Sequence, residues 1–206
     1  MARKLRRLAA LAVVAWCLAG VPVHAQEVQF RSMPPSTWQL AEAAEGVVMG
    51  GTPGAKPSIQ IIFDANCPYC ARLYALLRQE ARGIAVRWVP IAYFREDSAR
   101  LAAAILHAGD PRAALDANFR QYDFHAHHGG YRVPAGATQG LQASNLALQR
   151  QWRNWGGYTP MYLVRDSHGA TLLTGGAAPD IVRSVLGRAA GPLKSYGGES
   201  PTEGRK

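Results

Sequence analysis

Cys67 and Cys70 form a Cys-Pro-Tyr-Cys sequence in which two residues separate the thiols. Thiols at this spacing can form and break a disulfide with each other, which is the basis of thiol–disulfide exchange. A disulfide across so short a loop removes little entropy from the unfolded chain, so it would stabilise a fold only weakly. The spacing therefore favours a reactive pair over a structural crosslink.

The elements predicted around this pair also favour reactivity. Ile59–Phe63 is an apolar run typical of a buried strand, and the leucine spacing after Cys67 is helical. The N–H groups and the dipole at the start of a helix stabilise an anion. We therefore expect Cys67 to have a lowered pKa and to act as the attacking thiolate, whereas Cys70, one turn further in, resolves the mixed disulfide. Pro68 suits the first turn because its missing N–H costs nothing there.

Three other roles for the two cysteines compete with the redox role, and the sequence leaves two of them open. A structural disulfide is the first. A zinc ion needs about four ligands, which His125, His127 and His128 would have to complete. A c-type haem needs a His directly after the second cysteine, where Ala71 stands instead. We expect neither a metal nor another cofactor.

The dipeptide Thr159-Pro160 is the second candidate feature, because it lies near the start of a predicted strand at residues 158–164. A proline cannot donate a hydrogen bond to a β-ladder, so its presence there needs an explanation. A cis peptide bond is one explanation, and it would turn the backbone at residue 159 towards the reactive sulfur. That backbone could then pair with an extended substrate chain. A trans proline on an edge strand is the alternative.

The other predicted elements complete an α/β arrangement. Residues 36–44 form a short helix with Ser36 as its N-cap, and residues 50–57 form a Gly- and Pro-rich turn region. After the cysteine helix come a second strand, a block of helices, a strand, a hairpin and a final helix. This order predicts a βαβ unit and a ββα unit, separated by a helical insertion at about residues 98–155.

Residues 1–25 have the pattern of a secretory signal peptide, in which basic residues precede an apolar run and Val23-His24-Ala25 precedes the cleavage point. The apolar run is shorter than the ~20 residues that span a bilayer, which favours cleavage over membrane anchoring. Cleavage would remove Cys17 and four basic residues, so the net charge would fall from +9 to +5. The expected location is therefore outside the inner membrane.

We expect the mature chain to consist of three parts. Residues 26–57 are a short N-terminal segment with a linker helix, residues 58–190 are the α/β domain, and residues 191–206 are a disordered tail. The basic residues are scattered and form no single stripe, so we do not expect nucleic-acid binding.

With the Cys-Pro-Tyr-Cys motif at a helix start and Thr159-Pro160 near the start of a later strand, the chain resembles the DsbC/DsbG family of periplasmic disulfide interchange proteins. Within that family it resembles the DsbG branch most. Residues 62–70 are similar to the family's active-site strand and motif, residues 102–111 to its inserted helical region, and residues 158–163 to its cis-proline loop. The resemblance covers roughly residues 38–188. It implies an α/β, thioredoxin-like fold with a helical insertion.

The resemblance also implies an activity, a thiol:disulfide reductase or isomerase that acts on disulfides or oxidised cysteines of periplasmic proteins. It implies Cys67 and Cys70 as the catalytic residues and a membrane reductase of the DsbD type as the electron donor. The residues implied in substrate binding are Thr159, Pro160, Pro68 and Tyr69. A net oxidase of the DsbA kind and a non-catalytic envelope assembly factor with a structural disulfide are the alternatives.

Two departures from related proteins affect what we expect. Family members carry a dimerisation domain before the linker helix, whereas only residues 26–35 precede that helix here, so a monomer is expected. Thioredoxins have a buried acid six residues before the first cysteine, where Ile61 stands here, and we interpret the nearby Asp64 as a strand-end residue. Three aromatic residues are candidates for an apolar groove beside the site or for the core, namely Tyr69, Trp88 and Tyr158.

Overall fold

The structure, a computed structural model, describes residues 27–189 except Pro53 and Arg82. The expected signal peptide at residues 1–25 and the expected tail at residues 191–206 lie outside the described residues. Within the described ranges, no helix is both long enough and apolar enough to cross a membrane.

In the described part of the chain, six strands form one mixed sheet in the order β1-β6-β5-β3-β4-β2. The strands are β1 (Arg31–Met33), β2 (Val47–Met49), β3 (Ile59–Phe63), β4 (Val86–Pro90), β5 (Met161–Arg165) and β6 (Thr171–Gly175). The helices are α1 (Pro35–Ala43), α2 (Pro68–Glu80), α3 (Ser98–Leu106), α4 (Pro111–Arg120), α5 (Ala143–Trp155) and α6 (Pro179–Arg188). β3 pairs parallel with β4 and antiparallel with β5, and β5 pairs antiparallel with β6. The β3–α2–β4 and β5–β6–α6 units are those that the sequence predicts.

β3 is buried along its whole length because helices cover both faces of the sheet. Helices α2, α3, α4 and α6 contribute to one apolar cluster, and α1 and α5 contribute to the other. Gln60 is the polar residue in this strand, and its amide donates to the Trp38 carbonyl at 3.2 Å. Its side-chain oxygen accepts a hydrogen bond from Arg87 at 3.0 Å. These bonds offset the cost of burying an amide at the centre of the domain.

Four aromatic rings pack together at the centre of the larger cluster. Five of the six pairs of rings have centroids 5.2 to 5.7 Å apart, and the residues are Phe63, Tyr74, Trp88 and Phe119. Trp88 is only 1% exposed. It is therefore a core residue, which is the second of the two roles that the sequence leaves open for it.

The N-terminal segment contributes to the same sheet. β1 and β2 form its two edges, and the sequence pattern predicts neither, because three residues are too few to show an alternation. α1 begins at Pro35 with Pro34 as its N-cap, so Ser36 lies in the first turn and the prediction that it caps the helix is wrong. Trp38 packs with α5 in the second cluster. The expected linker helix is thus a covering element of the sheet.

The insertion between β4 and β5 consists of α3, α4 and α5, with an irregular segment at residues 121–142. α4 begins as expected, with Pro111 in its first turn and the Asp110 carboxylate capping two backbone N–H groups. β5 begins at Met161, so the prediction of a strand from residue 158 is wrong. Pro160 precedes the strand and disrupts no ladder position there.

Candidate active site

Cys67 is the N-cap residue of α2, and Pro68 lies in the first turn. The Cys67 carbonyl accepts hydrogen bonds from the N–H groups of Cys70 at 3.1 Å and Ala71 at 3.2 Å. Proline fits this turn because no intrahelical partner exists for an N–H group there. The Cys67 side chain therefore lies where the N–H groups of a helix start can stabilise an anion.

Neither cysteine forms a disulfide, and both are buried, with exposed fractions of 2% for Cys67 and 0% for Cys70. The Cys67 thiol donates a hydrogen bond to the carbonyl oxygen of Thr159 at 3.5 Å. Cys67 is less accessible than the outer position in the motif suggests, because the Thr159 segment packs against its sulfur.

The two thiols have pKa values that move in opposite directions. A hydrogen bond from the Cys70 side chain is the largest influence on Cys67, and burial opposes it. The Thr159 side chain and the N–H groups of Cys70 and Tyr69 act in the same direction as Cys70, so the pKa of Cys67 falls from 9.0 to about 7. Burial, and then the neighbouring Cys67, raise the pKa of Cys70 well above 9.0. Near neutral pH this arrangement favours one thiolate and one thiol.

The peptide bond between Thr159 and Pro160 is cis, and both residues are buried. The Thr159 hydroxyl lies 2.9 Å from the hydroxyl of Tyr93, while its carbonyl accepts from Cys67. The Pro160 carbonyl accepts a hydrogen bond from the N–H of Gly176 at 3.1 Å, which fixes the segment to the end of β6. The backbone at residue 159 therefore faces the sulfur of Cys67, as expected from the sequence.

Asp64 is a fully buried carboxylate at the end of β3. One of its oxygens accepts from the Asn66 N–H and the Ser98 hydroxyl, both at 2.8 Å. The other accepts from the N–H groups of Tyr93 at 2.8 Å and Phe94 at 2.9 Å. Asp64 thus joins the segment before Cys67 to the segment after β4, which is a larger role than that of a strand-end residue.

Asn66, the residue before Cys67, is also fully buried and bridges two parts of the insertion. Its amide donates to Asp97 at 3.0 Å and to Ser98 at 3.2 Å, at the start of α3. Its side-chain oxygen accepts from the N–H of Gly129 at 2.9 Å. The side chain therefore holds the irregular segment, α3 and the cysteine motif in one arrangement.

Two further side chains of the insertion hold the backbone just before the motif. The Asn118 amide donates to the Ala65 carbonyl at 2.9 Å, and the Tyr122 hydroxyl donates to the Asn66 carbonyl at 2.6 Å. The helical insertion therefore fixes the position of Cys67 in addition to covering the sheet.

Sequence reasoning does not identify Asn66, Tyr93, Asn118 or Tyr122, and it gives Asp64 too small a role. For Asn66 and Asp64 the sequence does offer a signal, because these two polar residues come directly before a candidate reactive cysteine. The other three residues lie at least 26 positions from Cys67 along the chain, so only the tertiary structure brings them to it.

The histidines of the irregular segment do not join the cysteines. Within the ranges that the structure describes, no group of three or more His, Cys, Asp or Glu residues is arranged to hold a metal ion. His128 instead contacts the carboxylate of Asp97 at 2.8 Å and the carbonyl of Gly129 at 2.6 Å. Partial burial raises the pKa of Asp97, but His128 and then Arg95 outweigh it, so the pKa is lower than usual.

Exposed aromatic side chains lie near the motif. Tyr69 is 56% exposed, and the guanidinium of Arg72 lies 5.4 Å from its ring centroid and 6.0 Å from that of Phe124. Tyr158 lies elsewhere, against Gly175, where an added Cβ would be only 2.0 Å from the tyrosine ring. The structure does not bring Tyr69 and Tyr158 together with Trp88 in one groove.

Comparison with known proteins gives distant similarities. No family model matches the chain. The chain is 24% identical to a thiol:disulfide interchange protein, DsbG of Pseudomonas aeruginosa, over 165 residues. This match includes 79% of the chain but only 63% of that relative, so the chain spans less than two thirds of its length.

Solved structures share the fold at low sequence identity. A periplasmic thioredoxin-like protein from Salmonella enterica serovar Typhimurium matches with a TM-score of 0.50 and 21% identity, over 76% of this chain and 97% of that one. A disulfide interchange protein from Neisseria gonorrhoeae matches with a TM-score of 0.50 and 18% identity, over 75% and 99% of the two chains. DsbA2 of Pseudomonas aeruginosa matches with a TM-score of 0.51 and 18% identity, over 76% and 95%.

The chain therefore has a thioredoxin-like fold, with a mixed sheet covered by helices on both faces and a helical insertion. Its similarities are to thiol:disulfide oxidoreductases of the thioredoxin type, and they include DsbG-like and DsbA-like proteins alike.

Proposed function

We propose that this chain is a periplasmic thiol:disulfide oxidoreductase of the reductase or isomerase kind, in which Cys67 attacks and Cys70 resolves. The supporting observation is the contrast between the two thiols, with the pKa of Cys67 lowered to about 7 and that of Cys70 raised. Only the thiolate is a good nucleophile in disulfide exchange. Cys67 is therefore able to attack near neutral pH, while Cys70 stays protonated until a mixed disulfide forms.

The reaction on a substrate disulfide has two exchanges. The Cys67 thiolate attacks one substrate sulfur, a mixed disulfide forms, and the other substrate sulfur leaves as a thiolate that takes up a proton. Cys70 then gives up its proton and attacks the Cys67 sulfur, which releases the remaining substrate sulfur as a second thiol. The substrate gains two electrons and two protons, and the pair Cys67–Cys70 becomes a disulfide.

Oxidised single cysteines are a second form of the same substrate class. The Cys67 thiolate attacks the sulfur of a sulfenic acid, and the hydroxide that leaves takes up a proton and becomes water. Cys70 resolves the mixed disulfide as before. Each reductive turnover leaves the pair oxidised, so a reductant must restore it, and a membrane reductase of the DsbD type is the proposed donor.

Four residues are proposed to orient the substrate beside Cys67, namely Thr159, Pro160, Pro68 and Tyr69. The backbone at residue 159 faces the sulfur, where an extended chain could form strand-like hydrogen bonds. Tyr69 offers an exposed ring one helical position from the buried Cys70. The proposed substrates are therefore exported proteins that present a disulfide or an oxidised cysteine in an extended segment.

Insulin reduction tests the proposed activity. The mature chain should reduce insulin disulfides with dithiothreitol as the electron source, and Cys67→Ala should reduce that rate to the uncatalysed background because it removes the nucleophile. Tyr158→Phe, which keeps the ring packed beside Gly175, serves as the control and should retain the rate. Equal rates for the wild type and Cys67→Ala would end the enzyme proposal and favour a non-catalytic assembly factor.

Trapping identifies the substrates. Cys70→Ala removes the resolving thiol, so mixed disulfides on Cys67 should accumulate in the periplasm and be separable by mass. The double variant Cys67→Ala/Cys70→Ala is the control and should trap nothing.

The redox potential of the pair, measured against glutathione, distinguishes a reductase from a DsbA-like oxidase. Light scattering tests the expected monomer.

A further inference from the structure

Arg72 lies on α2, three residues after Tyr69 and five after Cys67, and its side chain is exposed. Residues three apart on a helix are neighbours, and helical side chains lean towards the N-terminus. The Arg72 guanidinium accordingly lies over the exposed ring of Tyr69, with its Cζ atom 5.4 Å from the ring centroid. Its charge is therefore held near the end of α2 that carries the attacking sulfur.

A second exposed ring, that of Phe124, reaches the same guanidinium from the helical insertion. Its centroid lies 6.0 Å from the Arg72 Cζ atom. Phe124 packs against Tyr122 with centroids 4.8 Å apart, and the buried Tyr122 donates to the Asn66 carbonyl, next to Cys67 in the chain. The Phe124 ring is thus anchored to the backbone of the motif although it is 49% exposed.

The turn that carries Phe124 is closed by its own hydrogen bonds. The backbones of Asp123 and His128 exchange two bonds, of 2.9 and 3.1 Å. The Asp123 carboxylate accepts from the N–H groups of His125 and Ala126, both at 2.8 Å. The turn is therefore held in one shape, and the carboxylate next to Phe124 in the chain already has hydrogen-bond donors.

Arg72 has no acidic partner among the residues that the structure describes. Arg78 lies 3.8 Å from the carboxylate of Asp116, and Arg95 lies 3.6 Å from that of Asp97. Arg72 forms no such ion pair with a described residue, and its N–H groups donate no hydrogen bond within the described ranges. Its two ring contacts leave these N–H groups available to an acceptor from another molecule.

A guanidinium held against two rings is suited to a carboxylate. Its planar fork can donate two parallel hydrogen bonds to one carboxylate group, and the contacts with the rings restrict the motion of the fork before binding. The exposed rings add apolar surface of the kind that marks a site of contact with another polypeptide.

We propose that Tyr69, Arg72 and Phe124 form a binding site, the Arg72 subsite, for an Asp or Glu side chain of the substrate polypeptide. Its role in turnover rests on the proposed function, because the subsite can select substrates only if Cys67 reacts with them. Five helical residues correspond to about 7.5 Å of rise, which an extended chain spans in about two to three residues. The favoured substrates therefore carry a carboxylate at about that spacing from the cysteine that Cys67 attacks.

Two peptide disulfides that differ only in charge test the subsite. One carries glutamate at the proposed spacing on both sides of its cysteines, and the other carries glutamine there. At low ionic strength the reduced wild-type protein should react with the glutamate peptide about three to ten times faster, after each rate is divided by the rate with dithiothreitol. Arg72→Gln should remove this preference.

Arg78→Gln is the matched control, because it removes the same charge from the same helix, where Arg78 faces Asp116. It should keep the preference, since the proposed effect belongs to Arg72 and not to the net charge of the protein. Equal normalised rates for the two peptides, or an equal loss of preference in Arg72→Gln and Arg78→Gln, would overturn the subsite and leave the proposed function standing.

Binding without chemistry separates the subsite from the proposed function. Versions of the two peptides with serine in place of cysteine cannot exchange disulfides, and nuclear magnetic resonance can follow the Arg72 Nε–H signal as each is added. The glutamate version should shift this signal at lower concentration than the glutamine version. A selective shift in a protein that reduces no insulin would refute the proposed function alone, whereas an equal response to both peptides would refute the subsite.

Discussion

Cys67 and Cys70 owe their different acidities mainly to each other and to burial. The side chain of Cys70 is the largest influence that lowers the pKa of Cys67, ahead of the N–H groups of the helix start. Complete burial, and after it the same interaction between the two side chains, raises the pKa of Cys70. The helix start that the sequence predicts thus accounts for part of the lowering of the Cys67 pKa, and the contact between the two thiols accounts for a larger part.

The first prediction at this scale concerns the pH dependence of alkylation. Folding lowers the pKa of Cys67 from 9.0 to about 7. Because only the thiolate reacts, alkylation of Cys67 by iodoacetamide should rise with pH and reach half its maximum near pH 7 in the folded protein, against about pH 9 in urea. Burial slows the rate but leaves the midpoint unchanged. Peptide mass spectrometry measures Cys67 and Cys70 separately, and Cys70 should stay unmodified in the folded protein.

The sign of the accompanying stability change follows from the same shift. A group whose pKa is lower in the folded state stabilises that state above its unfolded pKa, and this stabilisation is lost as pH falls through the folded value. The reduced protein should therefore gain stability between about pH 7 and pH 9 through Cys67. A folded alkylation midpoint no lower than the midpoint measured in urea would contradict both expectations.

At the scale of elements, the insertion positions the motif through side chains that reach across the chain. The Asn66 side chain accepts a hydrogen bond from the Gly129 N–H and donates one to Asp97 at the start of α3. The Asn118 and Tyr122 side chains donate hydrogen bonds to the carbonyls of residues 65 and 66. Both ring nitrogens of His128 lie at hydrogen-bonding distance from oxygens, one from the Asp97 carboxylate and one from the Gly129 carbonyl. The irregular segment is thereby fixed to the active-site side of the domain.

The second prediction tests this arrangement with Asn66→Ala. The substitution leaves the Gly129 N–H without its acceptor in a buried place and should lower the free energy of unfolding by about 1 to 3 kcal/mol. Hydrogen exchange at the Gly129 amide should become faster by a corresponding factor. Asn154→Ala removes an asparagine that is exposed and bonds only locally to Gln151, and it should change stability by less than about 0.5 kcal/mol. Similar urea midpoints for the two variants would show that Asn66 does not hold the segment.

The same elements show what the sequence can and cannot predict. The order of β3, α2, β4, β5, β6 and α6 follows from apolar periodicity and from Gly and Pro positions, and so does the placing of Cys67 at a helix start. β1 and β2 are too short to carry a periodic signal, and their strand character comes from pairing with β6 and β4. Tyr93 and Asn118 carry no local mark of their role, because their partners are distant in the chain. The contact between Thr159 and Cys67 was predictable because each belongs to a recognisable motif.

For the whole molecule, the described residues form one layered domain in which the N-terminal segment takes part. α1 covers the second apolar cluster through Trp38, and the guanidinium of Arg165 from β5 lies 4.4 Å from its ring centroid. β1 extends the sheet beyond β6, and β2 extends it beyond β4. Residues before β3 are therefore needed for the core on that face.

The third prediction measures this dependence. Trp38 is 2% exposed, so Trp38→Ala should lower the free energy of unfolding by about 3 to 5 kcal/mol through lost burial and a cavity. Leu146→Ala on α5, where the side chain is 43% exposed, should cost less than about 1 kcal/mol. Urea unfolding followed by circular dichroism and by Cys67 alkylation should give coincident transitions. A Trp38→Ala midpoint equal to that of Leu146→Ala would mean that α1 is dispensable for the domain.

The hydrogen bond from the Cys67 thiol to the Thr159 carbonyl links recognition to reactivity through a single proton. While the thiol is protonated, its hydrogen takes one of the two lone pairs of the carbonyl that would accept from an incoming chain. Once the proton leaves, the sulfur has no hydrogen to donate, and both lone pairs become available to a visiting N–H group. The proposed docking of an extended chain and the proposed attack by the sulfur are thus favoured in the same protonation state.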